Sequence, residues 1–279
     1  ELGLLMSAEF SLDHIVAKSV GGSLVILTCK RCNNNAGREF EPALKKQLER
    51  LSFENRIENS ALLANTSIKG VQGTYSSQLK VQEPGSYKLD FFTEGKGNAV
   101  PLNNWLQNPG TDWEATVTIQ QPNKNHLAKS LIKSAYLLCF AVWGYEFVFS
   151  HSAEMIRKYL KDEHSYPVTT PIAWFGHTIK QNKINRFPIG ICYIQEPVEC
   201  RSFLVNLLLI DKKSGYRDIA SILIPNPTET GWKDLEKLES IFQEVYKNGT
   251  PITFSHADHF TLAKGFLNGY SRSWAEPQI

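Results

Sequence analysis

The apolar positions along the chain change period several times, and those changes outline its elements. Phe10 and Leu12 alternate with Ser11 and Asp13, a strand pattern that runs into His14, Ile15 and Val16. Adjacent strand residues face opposite sides, so Asp13 and His14 reach one centre only where the strand bends or ends. Gly21-Gly22 supplies the backbone freedom for a tight reversal. Leu24 to Thr28 is an apolar, β-branched run that predicts a buried strand. Cys29-Lys-Arg-Cys32 makes a knuckle, and the Asn33-Asn34-Asn35 run favours a capped helix start. Glu41-Pro42 followed by Leu44, Leu48 and Leu51 has helical spacing with Pro in the first turn. Residues 53–67 carry mixed signals and read as a helical connector, where a domain boundary is expected.

From Ile68 to Gln121 the texture becomes β. Gln78 to Gln82, Tyr87 to Phe92 and Ala115 to Gln120 alternate between turn signals, an antiparallel sheet with one solvated face. Asn103 to Trp105 and Trp113 fall in the loop between. A long helix follows, with Asn125 as its expected N-cap and Leu127, Leu131, Ala135, Leu138 and Val142 as its buried stripe, ending at Gly144. Another helix is expected from Ala153 to Lys161 behind a Ser152 cap. Strands are predicted from Gly190, from Phe203 to Ile210 and from Arg217 to Ile224, with Lys212 to Gly215 as a hairpin turn. A last helix runs through Leu235, Leu238, Ile241, Phe242 and Val245. The expected organisation is α+β: a small N-terminal module over residues 1–55, then a larger mixed α+β domain with antiparallel sheet over 68–279.

Composition adds bounds. Among 279 residues, 42% are hydrophobic and 21% charged, as in an ordinary globular protein. The formal net charge of +2 gives no global nucleic-acid signature, so such affinity rests on Lys18, Lys30, Arg31, Arg38, Lys45 and Lys46, diluted by Glu39, Glu41 and Glu49. Five cysteines, an odd number, argue against a disulfide framework; Cys139 and Cys192 read as reduced core residues. No signal peptide is evident and no apolar run approaches ~18 residues, so the expectation is a cytoplasmic protein without a membrane segment.

The candidate chemistry lies in residues 10–41. Asp13-His14-Ile15-Val16, Gly21-Gly22, Leu24 to Leu27, and Cys29-x-x-Cys32-Asn33 with Gly37 together resemble the HNH endonuclease family and its ββα-metal motif. The resemblance implies a metal-dependent DNA endonuclease, with Asp13 and Asn33 as metal ligands and His14 as general base. Ser23 stands where the family places an asparagine that holds the loop and orients the histidine. The chemistry suits these residue types: His titrates near neutrality, and one carboxylate with one amide oxygen favours Mg²⁺ or Mn²⁺. Relatives carry a second Cys-x-x-Cys before the Asp-His pair. Cys29 and Cys32 are therefore expected to be half of a structural Zn²⁺ site that closes in an N-terminally longer form. DNA is the implied partner, with a protein partner or a second copy expected at residues 68–279 and restriction or antiviral defence as the family-level role. An alternative is a non-catalytic nucleic-acid-binding or assembly protein that keeps the fold. His256 and His259, two residues apart around Asp258, read as a strand-to-helix corner.

Overall fold

The computed structural model describes residues 9–83, 85–92, 100–166, 172–174, 190–196, 202–228, 230–238 and 253–255. Strands β1 (Phe10–His14) and β2 (Val25–Cys29) pair antiparallel, and helix α1 (Lys30–Glu39) starts at the next residue. Helix α2 (Glu41–Glu54) follows, with Pro42 in its first turn. A four-stranded sheet in the order β5-β4-β3-β6 comes next, built from β3 (Ala61–Ile68), β4 (Tyr75–Glu83), β5 (Ser86–Phe91) and β6 (Ala115–Ile119), with α3 (Val100–Gln107) before β6. Helices α4 (Lys124–Val148) and α5 (His151–Leu160) lead to a five-stranded sheet in the order β11-β8-β9-β10-β7. Its strands are β7 (Ile172–Trp174), β8 (Gly190–Glu196), β9 (Ser202–Ile210), β10 (Arg217–Pro225) and β11 (Thr253–Ser255). The described strand pairs are all antiparallel, so the fold is mixed α+β with antiparallel sheets.

The two larger sheets differ in exposure for a reason visible in their sequences. β3 and β4 alternate between buried and more exposed positions, as a half-solvated sheet should. β9 and β10 are buried almost throughout, and their apolar runs leave no polar face. One side packs into a core with Leu44, Leu48 and Leu51 of α2, Leu131, Ile132 and Ala135 of α4, and Ile156 of α5. Leu235 and Leu238, in the helical stretch 231–238, pack with Ile194 and Leu223. Ala17 and Val20, from the loop after β1, belong to the same core as α2 and α4. α4 is long and apolar enough to cross a membrane by length and composition, and half of that window is buried within the fold.

Several local expectations are corrected. Residues 61–68 form strand β3, central between β4 and β6, instead of a helical connector. Asn103 to Trp105 lie in α3, where Leu102 is fully buried against Ile68 and Tyr75. The α4 cap is Asn123, which accepts from the Asn125 and His126 amides, and the α5 cap is Ser150. α1 starts at Lys30 behind Cys29, earlier than the asparagine run. Gly144 has φ 66° and breaks the helical geometry, yet the helix resumes to Val148. The hairpin strand β2 is not buried: Leu24, Val25 and Leu27 are exposed, because the described residues cover only one face of a two-stranded sheet. The expected helix beyond 238 and the His256–His259 cluster lie outside the described residues.

Candidate functional site

The hairpin loop is shaped by its two glycines. After β1 the chain makes a short 3-10 turn at Lys18–Val20, and the Gly22 amide donates to the Ala17 carbonyl at 3.2 Å. Gly21 has φ 95°, and a β-carbon there would meet Ile210 of β9 at 2.9 Å. The Ile15 amide donates to the Leu24 carbonyl, extending the ladder past His14. Ser23, exposed at this end, makes no hydrogen bond among the described residues.

Register fixes which way each candidate residue faces. Leu12 pairs with Leu27 and His14 with Val25, so Phe10, Leu12, His14, Val25, Leu27 and Cys29 share one face. Ser11 and Asp13 share the other with Ile26 and Thr28. Phe10, Leu12, Val25 and Leu27 are exposed, while Asp13 is buried. The hairpin thus turns its polar side inward. His14, the last residue of β1, is half-buried on the opposite face from Asp13, with no hydrogen bond or ion pair among the described residues.

Asn33 clasps the first strand. From the first turn of α1 its amide nitrogen donates to Ser11 Oγ and to the Leu12 carbonyl, both at 3.1 Å. Cys29 caps the same helix. The Cys32 backbone amide donates to the Cys29 sulfur and, with the Cys32 thiol, holds the Cys29 thiol below its usual range. Burial, then the Cys29 sulfur, push the Cys32 thiol up. The two sulfurs therefore face each other at a helix N-terminus, an arrangement open to a soft metal or to oxidation. Lys18, Lys30, Arg31, Arg38, Lys45 and Lys46 are all exposed, with Lys30 paired to Glu9 and Arg38 to Glu39.

Asp13 has partners that pattern reading missed. Lys133 of α4 places its Nζ 3.1 Å from Asp13 Oδ1, 2.9 Å from Oδ2 and 3.0 Å from Glu41 Oε1. The available signal was a lysine inside the apolar run Leu131 to Leu138, since a buried ammonium requires a counter-charge. Its identity could not be read, because the partner lies 120 positions away. The arrangement does not fit a divalent ion as it stands: both Asp13 oxygens are held by an ammonium. Among the described residues, moreover, no three His, Cys, Asp or Glu side chains gather as a metal-binding group.

Residues 5–49 match the family model described as HNH endonuclease, a span that holds the hairpin, α1 and the start of α2. No curated protein and no solved structure matches the chain.

Proposed function

We propose that this HNH-bearing chain is a DNA endonuclease that hydrolyses phosphodiester bonds. The observation that carries the reading is the family match over a hairpin and helix whose Asn33 ties α1 to β1 beside Asp13 and His14. His14, accessible at the strand end, takes a proton from the attacking water. The exposed cations of the loop, α1 and α2 hold the DNA backbone. Asp13 and Asn33 are the proposed ligands of a divalent ion, Mg²⁺ or Mn²⁺, and Ser23 is the proposed loop residue near His14. Cys29 and Cys32 are proposed as half of a structural Zn²⁺ site, and residues 68–279 as the part that selects target or partner. A role in restriction of foreign DNA and a cytoplasmic setting go with this reading.

The test is nicking of supercoiled plasmid by the parent chain and by His14→Ala, with Mg²⁺ or Mn²⁺ and with chelator. The expected outcome is cleavage that the chelator abolishes and a loss of ~10²–10⁴ in rate in the variant, the scale of a general base. Cleavage by His14→Ala at the parental rate would refute the assignment. The Lys133–Asp13 pair favours a second reading, a nucleic-acid-binding protein without turnover. Retarded DNA mobility without any nicking is the result that selects it.

A further inference from the structure

The carboxylate proposed to hold the divalent ion already holds a cation. Both Asp13 oxygens lie within 3.1 Å of the Lys133 ammonium, which also touches Glu41 at 3.0 Å. The Lys133 and Asp13 side chains are 10% and 4% exposed, whereas Glu41 is 23% exposed, so the cluster opens on the Glu41 side. An ion pair this enclosed is more than a surface contact, because its desolvation has to be offset by close geometry. Thr28 Oγ1, on the same hairpin face as Asp13, is buried and has no hydrogen-bond partner. The surroundings are therefore polar beyond what the lysine satisfies.

We propose that Lys133 is a resident competitor for the divalent cation. Its ammonium takes the place beside Asp13 that the ion would take, and Glu41 is where it retreats when the ion enters. The inference rests on Asp13 being a metal ligand and adds a gate supplied by α4. A flexible four-carbon stem allows the ammonium to release one carboxylate while keeping the other. Glu41 stands at the start of α2, outside β1, and remains a counter-charge after Asp13 is surrendered. An ion that binds only the released state has its apparent affinity lowered by the small fraction of chains in that state.

The experiment measures Mn²⁺ binding by calorimetry, and the shift in thermal midpoint between chelator and Mn²⁺, on the full chain. Lys133→Met keeps the stem and removes the charge; it should bind Mn²⁺ at least ~10-fold more tightly and gain more midpoint from Mn²⁺ than the parent. Lys133→Arg keeps the charge and forks it onto the carboxylate, so it should bind Mn²⁺ several-fold more weakly. This variant reports on the gate even where Lys133→Met does not fold. Adding Asp13→Asn to Lys133→Met should abolish the gain. Parental affinity in both Lys133 variants would overturn the gate while leaving Asp13 as a ligand. Mn²⁺ binding that Asp13→Asn leaves untouched, or that no variant shows, would overturn the ligand assignment and the gate with it.

Discussion

A β-carbon on Gly22 would lie 1.6 Å from the carbonyl oxygen of Val16. The obstacle is backbone, so no side chain can swing aside to relieve it. Gly22→Ala should destabilise the chain by at least the ~1–3 kcal/mol typical of overpacking. A fall in denaturant midpoint with an unchanged slope is the expected reading. A wild-type midpoint would show that the loop can rearrange.

Asn33→Ala removes two donations into β1, each worth about 1 kcal/mol. Amide exchange in β1 should accelerate while β9 and β10 keep their protection, since only the hairpin loses an anchor. The variant should also need more Mg²⁺ or Mn²⁺ for cleavage. Unchanged exchange in β1 would mean that the Asn33 clasp contributes nothing to its order.

Leu48→Ala tests the core shared by α2, α4 and β9. Leu48 is 1% exposed, and a buried Leu→Ala change costs about 2–5 kcal/mol. Thermal or denaturant unfolding followed by tryptophan fluorescence measures it. A loss below ~1 kcal/mol would mean that the cavity collapses freely.

The cysteines should react in a set order. A lowered pKa places more thiolate at any given pH, so in metal-free chain Cys29 should alkylate at lower pH than Cys32. Cys139 and Cys192, both buried with thiols pushed up by burial, should resist until unfolding. Peptide mapping across a pH series reads the order. Earlier labelling of Cys32 would contradict the hydrogen-bond pattern at the α1 cap.

Elements with a clear local period were legible: β1, α2, β4 to β6, and the β9–β10 hairpin with its turn. Caps were misplaced by two residues, at Asn123 and Ser150, because several neighbouring polar residues offer the same side-chain oxygen. β3 was missed because Ala61 to Ile68 contains residues compatible with a helix, and pairing on both edges decides its conformation. α3 is short and asparagine-rich, and it depends on Leu102 packing under the sheet. In the hairpin, alternation revealed that two faces exist and not which is covered. Phe10 and Leu12 point outward because the side with Ser11 and Asp13 is taken by α1 and α4. The candidate site was legible as a motif. Its setting was not, since Lys133 acts across the fold and no local pattern encodes such a pairing.

The Lys133 cluster has a consequence for polarity. Asp13, Glu41 and Lys133 carry one formal negative charge together, in a place that water barely reaches. A phosphodiester is an anion too, and at low dielectric that repulsion is felt at full strength. A doubly charged ion taken up at Asp13, with Lys133 kept on Glu41, inverts the sign of the cluster. The same event that arms the site would then turn it from repelling the DNA backbone to attracting it. Binding and cutting would share one ionic trigger.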